Sequence, residues 1–126
     1  MKVQTKFADA APKAVGCYCH MAVVNDTGYI SGQLPLNPES MVIDSQDVAD
    51  QARQSLANLH AILKDSDLDK TSVAKTTILL NNIADFAAVN AVYSDFFGEH
   101  KPARSCFSVE ALPLGALVEI EAIVAL

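Results

Sequence analysis

From Gln46 to Lys64 the apolar residues Val48, Ala52, Leu56, Leu59 and Leu63 follow one another at steps of four, four, three and four, which sets them on one face of an α-helix. A helix with a single apolar face gains most of its stability from what covers that face, so the rest of the chain must supply a matching surface. Ser45 is placed to cap this helix, with Asp47 in the first turn against the positive end of its dipole. A second helix is expected from about Asp85, with Phe86, Val89, Tyr93 and Phe96 on one face and Gly98 as the residue that stops it. At that spacing these aromatics and Phe97 belong to a core rather than to a platform for stacking bases.

The covering surface is read from the extended segments. Residues 2–7 alternate polar and apolar, and Met21–Val24 and Tyr29–Ser31 flank the turn-forming Asn25, Asp26, Thr27 and Gly28. Val73–Leu80, Ser105–Val109 and Leu117–Ala125 complete the set. Two prolines make Leu34–Pro38 a surface loop, and Pro113, Leu114 and Gly115 break the chain before the last strand. The order β, ββ, α, β, α, β, β predicts an α+β fold: one mixed or antiparallel sheet with two helices on one side. With 126 residues, 51% of them hydrophobic, a single domain over 1–126 is expected.

Charge and cysteine usage exclude several functions. A net charge of −6 and scattered basic residues give no cationic stripe, which argues against a nucleic-acid partner. No apolar run is long enough for a membrane helix and no signal-peptide core is visible, so the expectation is a soluble, cytoplasmic protein. Cys17, Cys19 and Cys106 are odd in number, and the first two are too close for a mutual disulfide, so reduced thiols are expected. Cys17, Cys19 and His20 lack the fourth ligand of a structural zinc site, and Asp65, Asp67 and Asp69 lack the glycine and distal glutamate of a calcium loop. No metal is therefore expected. His60 and His100 are read as structural or solvent-facing.

Arg104 is the one arginine in the C-terminal half, and its neighbours suggest burial. Its planar fork asks for a planar anion. In an extended strand Arg104 and Cys106 share one face, and on the terminal strand Glu119 and Glu121 lie opposite Val118, Ile120, Ala122 and Val124. If these two strands pair, Glu119 sits near Arg104 and Cys106. A structural ion pair and a functional site are then equal alternatives. The Cys106 thiol has no histidine neighbour in sequence to activate it.

Pro102-Ala103-Arg104-Ser105-Cys106-Phe107, closing with Val118-Glu119-Ile120-Glu121-Ala122-Ile123, resembles the signature of the Rid family, the reactive intermediate deaminases also called YjgF. Gly16 with Tyr18, Ile30–Pro38, Gln51–Leu59, Lys75–Thr77 and Asp85–Tyr93 agree in the same order. The resemblance implies a chorismate-mutase-like fold, a homotrimer with sites between subunits, and hydrolysis of 2-imino acids and their enamine tautomers (2-iminobutanoate, 2-iminopropanoate) to 2-keto acids and ammonia. It implies no cofactor. On the matching positions, Arg104 holds the substrate carboxylate and Glu119 orients or activates water. Cys106 lines the pocket, its backbone helping to place water and substrate nitrogen, and Tyr18 covers the substrate from a neighbouring subunit. Ser31 and Gly32 contact the ligand, and Asn90 braces the cleft.

The chain departs from the family pattern at Cys17, Cys19, His20 and Glu110, and the loop Glu39-Ser40-Met41-Val42 lacks the customary glycine. These changes bear on substrate range. A non-catalytic receptor for 2-keto acids is the second reading, and an endoribonuclease, disfavoured by the acidity, the third.

Overall fold

A computed structural model describes residues 1–126. The chain forms β1 (Gln4–Lys6), β2 (Met21–Val24), β3 (Thr27–Gln33), α1 (Val48–Asp65), β4 (Val73–Leu80), α2 (Phe86–Phe97), β5 (Ala103–Ser108) and β6 (Val118–Ala125), with short 3-10 turns at Lys70–Ser72, Ile83–Asp85 and Pro113–Gly115. This is the expected order. The six strands make one sheet in the order β1-β2-β3-β6-β4-β5, antiparallel throughout except for the parallel pair β4 and β5.

Both helices cover one face of this sheet. Ile30, Thr76, Ile78, Leu80, Val118, Ile120, Ala122 and Val124 alternate with exposed or half-buried neighbours, and their side chains meet Ala52, Leu56, Leu59, Ile62 and Leu63 of α1 and Val89, Val92, Tyr93 and Phe97 of α2 in one core. The opposite face is left open. Tyr29 and Phe107 are exposed on it, and Leu79 and Ile123 half-buried.

Local chemistry explains the boundaries. α1 begins after Asp47, not Ser45: Asp47 is the N-cap and its Oδ2 accepts from the Asp50 amide at 3.1 Å. Ser45 supports that cap from outside, accepting from the Asp47 amide and donating to Asp50 Oδ2 at 2.9 Å. Asn25, in the left-handed region at φ 53°, turns β2 into β3, a conformation asparagine tolerates well. α2 stops at Gly98 with φ 63°, as its sequence predicts.

The expected pairing of the last two strands does not occur. β4 lies between β5 and β6, since α2 carries the chain from β4 to a parallel neighbour and the stretch after β5 crosses the end of β4. There the Val109 amide donates to the Leu80 carbonyl and the Asn81 amide to Leu117. A short connection in sequence joins strands that are not adjacent in space. No helix is long and apolar enough to cross a membrane.

Candidate active site

Glu119 projects from β6 onto the open face of the sheet, where β3 has been shaped to receive it. Between the pairs Ile30 with Ala122 and Gln33 with Ile120, β3 carries one extra residue, so Ser31 and Gly32 together oppose Glu121. Such a bulge bends the strand and re-aims its side chains. It sets Gly32 beside Glu119, close enough that a Cβ on Gly32 would lie 2.8 Å from the Glu119 carboxyl carbon. Only a residue without a side chain leaves the carboxylate where it stands.

Ser31 anchors the next wall. Its hydroxyl donates to the Cys19 carbonyl at 2.7 Å and its amide to the His20 carbonyl at 3.0 Å, tying the 13–19 loop to β3. His20 is buried with both ring nitrogens engaged: Nδ1 accepts from the Ala8 amide and Nε2 donates to the Pro12 carbonyl, each at 2.8 Å. This arrangement needs the neutral Nε2–H tautomer, and it leaves no nitrogen for a metal. The loop presents Tyr18, whose hydroxyl accepts from the Val15 amide at 3.3 Å. Tyr18, Ser31, Gly32 and Glu119 thus line one open cavity of about 620 Å³ together with Lys13 and the apolar Leu34, Leu36, Met41, Pro113 and Leu114.

Arg104 occupies the other face of the sheet, on the edge strand β5. It is exposed rather than buried. Register with Thr76 turns it toward the helices, where its guanidinium donates to Asn90 Oδ1 at 2.8 Å and lies over Tyr93, 4.9 Å from the ring centroid, and Phe86, at 5.4 Å. Two rings and an amide acceptor hold the cation in place without neutralising it. Tyr93 is itself fixed by a 2.7 Å hydrogen bond to Thr76. Cys106, two residues along, shares this face, packed against the core. Burial pushes its thiol pKa up, opposed by the charge of Arg104, so the neutral form is favoured over the nucleophilic thiolate.

Within one chain Arg104 and Glu119 are not an ion pair. The only salt bridge joins Arg53 to Asp50 on the surface of α1, at 2.8 Å. Glu119 is in register with Leu79 and Leu79 with Phe107, so two strand spacings and three residues separate the Glu119 and Arg104 backbones, about 14 Å. Their side chains leave opposite faces. Burial first, and then the neighbouring charge of Glu121, raise the Glu119 pKa above its ordinary value, with no cation to offset them.

The structure therefore gathers Tyr18, Ser31, Gly32 and Glu119 in one place and Arg104, Asn90 and Cys106 in another. Tyr18, expected to reach the substrate from a neighbouring subunit, stands in its own chain's Glu119 cavity. Several contributors escape a reading by periodicity. Asn58, on the buried side of α1, donates to the Leu34 and Leu36 carbonyls at 3.0 and 2.9 Å and so holds the cavity wall. Gln51 accepts from the Leu117 amide at 2.8 Å and steadies the start of β6. Polar residues inside a helical stripe are the signal that marks them. No group of three or more His, Cys, Asp or Glu side chains is placed to hold a metal.

Residues 8–126 match the family described as Endoribonuclease L-PSP. A human protein named 2-iminobutanoate/2-iminopropanoate deaminase is 45% identical over 113 residues, which cover 90% of this chain and 82% of that protein. Among solved structures, a Yersinia pestis protein of the conserved Rid family, YyfA, superposes with a TM-score of 0.96 at 39% identity, covering 99% of this chain and all of that one. Escherichia coli TdcF with bound serine superposes at 0.90 with 38% identity, over 97% of this chain and 99% of that chain. Near full-length matches in sequence and in fold agree with the motif resemblance, and the chain belongs to the Rid (YjgF) family.

Proposed function

We propose that this protein hydrolyses 2-imino acids and their enamine tautomers to 2-keto acids and ammonia, in a site completed by a second copy of the chain. The observation that carries the reading is the pair of charges without a salt bridge: Glu119 in a cavity that Lys13 also lines but where no cation pairs with it, and Arg104 in a prepared cradle with no carboxylate. A small 2-imino acid cannot span two faces of one sheet, so both groups reach it only if Arg104 of one subunit meets Glu119 of another. The open sheet face, with Tyr29 and Phe107 exposed, offers the surface for that contact, in keeping with the homotrimer that the motif resemblance implies.

In such a site Arg104 binds the substrate carboxylate through two parallel charge-assisted hydrogen bonds and fixes the imine carbon over the Glu119 cavity. The Glu119 carboxylate takes a proton from water as the oxygen attacks that carbon, forming a carbinolamine. That proton passes to the nitrogen, Glu119 then relays the carbinolamine hydroxyl proton to the same nitrogen as the C=O bond forms, and the C–N bond breaks with its electron pair leaving on ammonia. A carboxylate with a raised pKa suits this exchange, and placed proton transfer contributes about 10²- to 10⁴-fold. Tyr18 shields the reacting centre and Cys106 lines the Arg104 side without forming a bond to substrate. No cofactor enters the scheme, and three free thiols suit a reducing, cytoplasmic setting.

The test generates 2-iminobutanoate and 2-iminopropanoate with a dehydratase or amino acid oxidase and follows release of the keto acid. Acceleration by the wild type and its loss in Arg104→Ala and Glu119→Gln are expected. If keto acids bind by calorimetry while imine decay is unaffected, the protein is a receptor instead. Cleavage of single-stranded RNA that Glu119→Gln abolishes would favour the ribonuclease reading, which the net charge of −6 opposes.

A further inference from the structure

Four non-glycine residues adopt the left-handed backbone region: Asn25 at φ 53°, Asp67 at 57°, Met41 at 61° and Leu114 at 60°. Asparagine and aspartate are the residue types that tolerate it; for a long apolar residue it is costly, and glycine would take it freely. The two costly cases, 73 positions apart in sequence, line the same cavity, the one that holds Glu119. Backbone strain that recurs on one cavity points to a side chain needed there. Met41 is half-buried and Leu114 is 71% exposed, so neither is held in place by the demands of the core.

The cavity they complete has both polar and apolar lining. Lys13, Tyr18, Ser31 and Glu119 are its polar lining, and Met41 and Leu114 join Leu34 and Leu36, whose backbones Asn58 pins, as its apolar lining. In the single chain the cavity measures about 620 Å³, and the second copy that brings Arg104 to it takes up part of that space. We infer that Met41 and Leu114 are specificity-determining residues that bind the side chain of the substrate, and that the preferred substrates are 2-imino acids with an unbranched or branched aliphatic side chain of three or more carbons. The reacting atoms are those of the deaminase reading, on which this inference rests for its catalytic readout. With the carboxylate on Arg104 of the second copy and the imine carbon over Glu119, each further methylene of substrate passes onto the Met41 and Leu114 wall.

The test compares kcat/KM along 2-iminopropanoate, 2-iminobutanoate, 2-iminopentanoate and 2-iminohexanoate, each made by an amino acid oxidase and followed by competition with semicarbazide. The wild type should gain about fourfold for each methylene that becomes buried. Met41→Gly and Leu114→Gly should each lower the ratio of 2-iminohexanoate to 2-iminopropanoate by about fourfold or more, while Met41→Leu keeps it. Glycine fits φ near 60° without strain, so thermal melts of both glycine variants should stay at or above the wild type. A flat series in the wild type, or an unchanged ratio in both glycine variants, overturns the inference. If no imino acid is turned over faster, the deaminase reading fails alone. Calorimetry with 2-oxobutanoate and 2-oxohexanoate then decides: tighter binding of the longer acid that Met41→Gly abolishes sustains the apolar wall, and equal binding of the two removes it.

Discussion

Replacing Gly32 by alanine adds one methyl group where β3 passes beside the Glu119 carboxylate. The new Cβ would lie 2.8 Å from Glu119 Cδ and 3.1 Å from its Cγ, against an optimal carbon contact of about 3.5 Å or more. Glu119 Oε2 would be closer still, so the carboxylate must withdraw by about 1 Å or more, or rotate. It is the end of a flexible chain bordering a cavity, so the fold gives way cheaply, by about 1 kcal/mol and a melting shift of about 5 °C at most. Catalysis has no such slack. A displacement near 1 Å of a group that positions water costs on the order of 10²-fold, or about 2.7 kcal/mol of transition-state stabilisation. Keto-acid release from enzymatically generated 2-iminobutanoate, with thermal melts on the same samples, measures both quantities. Gly32→Ala combined with Glu119→Gln separates two explanations. If the glycine serves the carboxylate, the double variant is no worse than Glu119→Gln alone; if it admits the substrate, the losses add. A Gly32→Ala protein as active as wild type would refute the role assigned to this close approach, and so would fully additive losses.

Glu119→Gln tests the raised pKa through stability. The folded protein binds the Glu119 proton more tightly than the unfolded chain, so this linkage favours folding below the ordinary carboxyl value of 4.5 and is lost as pH rises through the raised folded value. The glutamine variant should therefore melt above the wild type at pH 8, and the difference should shrink by pH 4. Glu121→Gln removes the second cause of the shift, so the acid limb of the kcat/KM profile should move to lower pH while the plateau holds within a few-fold. Asn58→Ala leaves two loop carbonyls without their donor, and urea denaturation should show a loss of about 1–3 kcal/mol, with a raised KM as the Leu34 and Leu36 wall loosens.

What the sequence exposes and what it hides follow the range of the interactions. The stripe from Val48 to Leu63 and the span Val73–Leu80 are local patterns, and both elements appear within two residues of where periodicity puts them. The alternation that keeps Arg104 with Cys106 on one face of β5, and Glu119 with Glu121 opposite Val118, Ile120, Ala122 and Val124 on β6, is local as well, and it holds. Strand order is not local. Nothing in residues 103–125 reveals that β4, from earlier in the chain, lies between β5 and β6, so the nearness of Arg104 to Glu119 inferred from their short connection fails.

That failure changes what the two residues mean. Adjacent on paired strands, they would be equally well explained as an ion pair closing the C-terminal hairpin. Separated by a strand and by the thickness of the sheet, neither stabilises the other, and each leaves a charge that the subunit does not satisfy. The costs are visible in the surroundings: the bulge at Ser31 and Gly32 makes room for a carboxylate whose pKa is driven up, and Phe86, Tyr93 and Asn90 support a guanidinium that has no counter-ion. Local structure arranged around an unpaired charge is better accounted for by a ligand and a second subunit than by the stability of the chain that carries it.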